Sequence, residues 1–121
     1  MTDNNIKKVL ELIDKDSFEE AKNLLLKIRR NKQSSYVNYL LGYIHHTNIS
    51  PLSLSKNQFK GSKEDAKRFL KDSIDSEDPV EDAFWRLSDI EDNQKQAIRI
   101  LKKGLKYFPN SESIYEYLIK K

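Results

Sequence analysis

The chain has 121 residues, of which 22 are basic and 19 acidic, for a formal charge of +3 at neutral pH and a pI near 9.0. That length suits one domain with a core of its own, and so small a charge imbalance excludes the strongly basic surface of a general nucleic-acid binder. The absence of cysteine excludes disulfide frameworks, cysteine-ligated zinc, iron–sulfur clusters and thiol catalysis.

Hydrophobic residues make up 37% and charged residues 34%, lean for a compact globule but expected of a thin helical assembly with much surface per residue. The opening M-T-D-N-N-I-K-K-V lacks the apolar run of a signal peptide, and no segment approaches the eighteen or so apolar residues of a membrane span. A cytoplasmic protein with no membrane contact is expected.

In chain order, Ile6, Val9, Leu10 and Ile13 recur at intervals that predict an amphipathic helix from about residue 3 to 14. Ser17-Phe18-Glu19-Glu20 has the form of a capping box and should start the second helix, whose inward stripe is Phe18, Ala21, Leu24, Leu25 and Ile28. Lys27, Arg29, Arg30 and Lys32 suit its C-terminus. The third helix is expected over about 34–47, with Val37, Leu40, Leu41 and Ile44 inward. The helical period then fails over 48–61, which is rich in Ser, Asn, Pro and Gly. A loop of that length is either mobile, packed by Leu52, Leu54 and Phe59, or functional, and an ordered excursion is the first expectation.

Ser62 looks like the cap of a fourth helix with Ala66, Phe69, Leu70, Ser73 and Ile74 inward. Asp78-Pro79 reads as a cap followed by proline in the first helical position, opening a fifth helix with Val80, Ala83, Leu87 and Ile90 inward. After a turn at Asp92-Asn93, the run Q-A-I-R-I-L-K-K-G-L-K-Y-F-P-N-S from Gln96 to Ser111 places Ala97, Leu101, Gly104, Leu105 and Phe108 on one stripe that ends at a proline. A seventh segment over 112–120 offers Ile114, Tyr115, Leu118 and Ile119 to cover the exposed end.

This run of small and large residues closed by proline resembles the second half of a tetratricopeptide repeat, and the L-L-G-Y around Gly42 resembles the leucine–glycine pair of its first half. Ala21, Ala66 and Ala97, and Leu25, Leu70 and Leu101, fall in equivalent places. The interval from Ala21 to Ala66 exceeds the family period of about 34 residues and that from Ala66 to Ala97 falls short of it, a variability similar to that of the Sel-type relatives. Ser88 stands where glycine is frequent. The resemblance implies an all-α fold, a right-handed stack of antiparallel helix pairs. Its units would span about 3–33, 34–78 and 79–110, with a capping helix over 111–121.

It also implies a concave face lined by the first helix of each pair. On that face the second unit carries Tyr36, Tyr39, Tyr43 and His46, and the third carries Asp82, Trp85, Asp89 and Asp92 at matching positions. An aromatic and acidic groove suits a protein or peptide with apolar anchors and Lys or Arg, so the expected function is a protein-interaction adaptor. The basic clamp that some of these repeats use on acidic tails is poorly matched, since the first unit offers Asn4, Lys7 and Glu11.

Other constellations are weaker. His45-His46 point to different sides of a helix and read as a surface pair rather than a metal site. The acids from Asp75 to Asp82 lack the glycine and spacing of a calcium loop. No phosphate loop, serine elbow or His–carboxylate–nucleophile set is present, so neither enzyme activity nor a cofactor is expected. A helical domain binding nucleic acid through a ridge of Lys27, Arg29, Arg30, Lys32, Lys102, Lys103 and Lys106 is the alternative, and a regulatory or homo-oligomerising part of something larger is the third.

Overall fold

The computed structural model describes residues 2–49 and 59–121, with the side chains described from residue 4 onward. Leu52 and Leu54, expected to pack the long loop, lie outside the described residues. Those described form seven helices and no strand: α1 (Thr2–Asp14), α2 (Phe18–Asn31), α3 (Ser35–Thr47), α4 (Lys63–Ile74), α5 (Glu81–Ile90), α6 (Gln94–Tyr107) and α7 (Glu112–Lys120). The fold is all-α. No described helix is long and apolar enough to cross a membrane.

The most extensive contact joins α3 to α4, followed by α5 with α6; α4 with α5 and α2 with α3 connect successive helices. Helix α3 is buried on most of its circumference, from Val37 through Leu41 to Ile44 and His45. The equated alanines Ala21, Ala66 and Ala97 and leucines Leu25, Leu70 and Leu101 are all without solvent exposure. Small residues set the distance between helices. A Cβ at Gly42 would lie 2.5 Å from Leu70 Cγ on α4, and one at Gly104 would lie 2.8 Å from both Phe84 on α5 and Ile114 on α7.

Side-chain caps start four helices. Ser34, Ser62, Asn93 and Ser111 accept from the backbone N–H groups of Val37, Asp65, Gln96 and Ile114, respectively.

The capping box expected at Ser17 does not form. Helix α1 ends with Asp16 at φ 58, the Asp16 N–H donating to Ile13 O and the Ser17 N–H to Leu12 O. These are the two bonds of a Schellman motif, so Ser17 finishes α1. Its backbone, at φ -85 and ψ 62, is not extended, and its hydroxyl makes no cap bond. Pro79 also departs from expectation: Val80 is the N-cap of α5, and the proline lies before the helix instead of in its first turn.

Several apolar stripes are less complete than predicted. Leu10 is 39% exposed, and on α7 Tyr115 is 45% and Ile119 82% exposed, while Ile114 on the inner side is fully buried. Leu24, Val80, Leu105, Phe108 and Leu118 are half-buried. His45-His46 is not a surface pair: the two rings do point to different sides, but both are largely enclosed.

Candidate functional site

Tyr36, Tyr39 and Tyr43 follow one another on α3 at helical spacing, and their rings touch in sequence. Tyr36 and Tyr39 stack with centroids 6.4 Å apart, and Tyr39 and Tyr43 are tilted at 6.3 Å. Tyr36 is exposed, Tyr43 half-buried and Tyr39 buried. Helix α5 lies alongside and sends Arg86 between the rings. Its guanidinium sits 4.5 Å from the Tyr43 ring centre and 4.4 Å from that of Trp85, within cation–π range of both.

The Arg86 hydrogen bonds define a protonation state. Nε donates to Tyr39 Oη at 3.1 Å, and Nη1 lies 3.1 Å from His46 Nδ1. A guanidinium can only donate, so His46 Nδ1 accepts and the ring proton resides on Nε2. From there it is donated to Asp89 Oδ2 at 2.7 Å. Burial pulls the His46 pKa below its ordinary value, the Asp89 bond opposes that, and Arg86 adds to the lowering. The imidazole is therefore a neutral relay between a fixed cation and a half-exposed carboxylate. Burial raises the Tyr39 pKa, against an opposing pull from Arg86.

Trp85 extends the aromatic run. Its indole N–H donates to Asp82 Oδ1 at 3.0 Å, and its ring stacks on Tyr117 of α7 at 5.0 Å. The Tyr117 pKa is raised, first by burial and then by the nearby Asp89. Rings and one guanidinium thus run continuously from Tyr36 on α3, across α5, to Tyr117 on α7.

Seven of the eight expected residues meet here: Tyr36, Tyr39, Tyr43, His46, Asp82, Trp85 and Asp89. Asp92 does not. It is fully exposed and paired with Lys63 of α4 at 2.7 Å, and that lysine lowers its pKa. Arg86 and Tyr117 complete the cluster without having been anticipated. Matching α5 to α3 with Leu41 on Leu87 sets Arg86 on Leu40, a core position, which hid the arginine. Its spacing of four from Asp82 and three from Asp89 was the available signal.

His45 has a separate role on the opposite side of α3. Its Nδ1 accepts from the Ser62 N–H at 3.0 Å, and its ring contacts Phe59 and Phe69, tying α3 to the start of α4. Two of the seven cations in the basic ridge are held by acids of the chain itself. Arg29 Nε donates to Asn38, its Nη2 pairs with Asp72 at 3.0 Å, and Lys103 pairs with Asp75 at 2.9 Å.

Cavities also open on the described surface. One of about 520 Å³ lies where α1 and the end of α2 meet the start of α3, and one of about 320 Å³ lies among α4, α5 and α6. Compared with protein-family models, curated proteins and solved structures, the chain matches none.

Proposed function

We propose that the chain is a protein-interaction module. On this reading it is a right-handed stack of three antiparallel helix pairs resembling tetratricopeptide repeats, α1–α2, α3–α4 and α5–α6, with α7 as the cap. It binds a segment of a partner protein along the face shared by α3, α5 and α7. The observation that carries this is the run of rings from Tyr36 to Tyr117, joined between Tyr43 and Trp85 by the Arg86 guanidinium, which crosses three helices and keeps exposed or half-exposed rings at both ends. Rings of this kind give apolar anchors a large contact area at low entropic cost.

The expected partner carries apolar and basic residues, and Arg86 refines where its cations go. The space between Tyr43 and Trp85 is filled by that guanidinium, so a partner Lys or Arg meets the carboxylates at the edge. Asp89 keeps 47% of its side-chain surface exposed and Asp82 lies beside it on α5. The nucleic-acid alternative is weakened by two of its seven cations, Arg29 and Lys103, being held by Asp72 and Asp75.

Affinity capture from the native host, comparing wild type with a Tyr36→Ala/Asp89→Ala variant, tests the reading. Both side chains are exposed enough for the variant to keep its helicity. Proteins retained by wild type and lost by the variant, with isolated peptides from them quenching or shifting Trp85 fluorescence, are the expected result. Identical captures from wild type and variant would sink the proposal.

A further inference from the structure

Two apolar surfaces lie outside the aromatic cluster's centre, and they carry opposite charge. The first is the cavity of about 520 Å³ between α1 and α3, walled by Ile6, Leu10, Ile28 and Val37 with Tyr36 at its edge. Lys7 and Lys32 are the charged residues among its described lining, and no described acid lines it. Leu10 and Tyr36 leave 39% and 42% of their surface open to solvent there.

The second is the outer face of α7. Ile114, Tyr117 and Leu118 turn inward, whereas Glu112, Tyr115, Glu116 and Ile119 recur on the opposite side and are all exposed. A surface helix is expected to be polar on that side. Here two large apolar side chains one turn apart, Tyr115 and Ile119, alternate with two acids.

We propose that these surfaces dock on one another between two copies of the chain. Helix α7 of one copy lies in the α1–α3 cavity of the next, with Ile119 and Tyr115 against the apolar wall and Glu112 and Glu116 facing Lys7 and Lys32. A second copy is the occupant because the α7 strip combines the two properties the cavity selects, apolar side chains at helical spacing and acids beside them. The two surfaces belong to different parts of the chain, so the contact is heterologous. Each pairing leaves one cavity and one strip free, and association continues unless a ring closes. Salt screens the exposed ion pairs but not the apolar contact, so it weakens association without abolishing it.

Sedimentation velocity and light scattering of the full chain over a wide concentration range supply the test. The wild-type mass is expected to rise above monomer with concentration. A Lys7→Glu/Lys32→Glu variant and an Ile119→Glu variant should each lower self-association by about tenfold or more, because like charges then face one another or a charge meets the apolar wall. These side chains are exposed, and unchanged circular dichroism confirms that each variant folds.

Mixing the two variants is the decisive arm. The Ile119→Glu chain keeps an intact cavity and the lysine variant an intact α7 strip, so the mixture forms a one-to-one pair that grows no further. A monomeric wild type at millimolar concentration, variants that associate like wild type, or a mixture that stays monomeric would each overturn the proposal. Lys7, Lys32 and Ile119 take no part in the aromatic cluster, so this outcome is independent of the partner-binding reading.

Discussion

Replacing Gly42 by alanine separates helix propensity from close packing. In an isolated helix the change is favourable by about 1 kcal/mol. Here the new methyl would stand 2.5 and 2.6 Å from Leu70 Cγ and Cδ2 and 3.3 Å from the Leu70 backbone N. Comfortable carbon contacts lie at about 3.5–4.0 Å, so the two side-chain carbons are roughly 1 Å too close. Leu70 is fully buried, and rotating its side chain leaves the backbone contact in place. Overpacking of this kind costs about 1–3 kcal/mol, here at or above the upper end because two carbons clash together. Net destabilisation of about 2 kcal/mol or more remains after the propensity gain, equivalent to a melting temperature lower by about 10 °C or more. Urea and thermal unfolding followed by circular dichroism measure it. A companion Leu70→Ala change opens the space, so the double variant should be more stable than the two single costs added together. A Gly42→Ala chain as stable as wild type, or more so, would show that α3 and α4 do not depend on the missing side chain.

Three further outcomes are expected. Ser34→Ala should cost about 1 kcal/mol in chemical denaturation because its hydroxyl caps α3, whereas Ser17→Ala, which removes no cap bond, should stay within about 0.5 kcal/mol. Tyr39→Ala should destabilise by about 3 kcal/mol, since its ring is buried and its hydroxyl accepts from Arg86, while Tyr36→Ala should cost under about 1 kcal/mol; equal losses would mean that Tyr36 is as structural as its neighbour. Burial, against the pull of Asp65, lowers the His45 pKa, and burial, against the Asp89 bond, lowers that of His46. The unfolded chain therefore takes up these protons first. Stability is complete above the ordinary imidazole value of about 6.5 and declines as pH falls below it, levelling once the folded-state values are passed. Urea midpoints measured across that interval should fall on acidification, and the fall should shrink in a His45→Gln/His46→Gln variant.

The helical period of buried side chains located all seven helices to within a few residues, because each stripe is made of apolar residues with no competing pattern. Local turn chemistry was harder to read. Ser17 and Glu20 have the spacing of a capping box, but the left-handed backbone of Asp16 commits Ser17 to closing α1, and nothing in a four-residue motif reports the conformation of the residue before it. The α7 stripe misled for a different reason. Four apolar residues within a short amphipathic helix do not say how wide a surface they have to cover, and the inner side accommodates Ile114, Tyr117 and Leu118 while Tyr115 and Ile119 face out. Within the cluster, spacing placed the tyrosines, His46 and Trp85 on a common face. It could not show that the flexible arm of Arg86 bends from a nominal core position to join them, nor that Asp92 turns to Lys63.

Arg86 changes what the aromatic face can recognise. An aromatic and acidic surface suggests a receptor for cations, yet two rings and two hydrogen-bond acceptors already satisfy this internal one. A partner cation that entered the same space would have to displace a guanidinium from Tyr39 and His46 and leave buried acceptors unmet, a cost comparable to the gain from the new contact. The favourable alternative is to leave Arg86 in place and use what it leaves uncovered, the Tyr36 ring at one end and the Asp89 carboxylate toward the other. Asp89 is itself tied to Arg86 through neutral His46, so a cation binding there acts on the same hydrogen-bonded chain that holds the rings together. On the proposed reading, affinity and the rigidity of the α3–α5 contact are then linked. Weakening the His46 relay should loosen the aromatic run at the same point where it lowers the attraction for a basic partner.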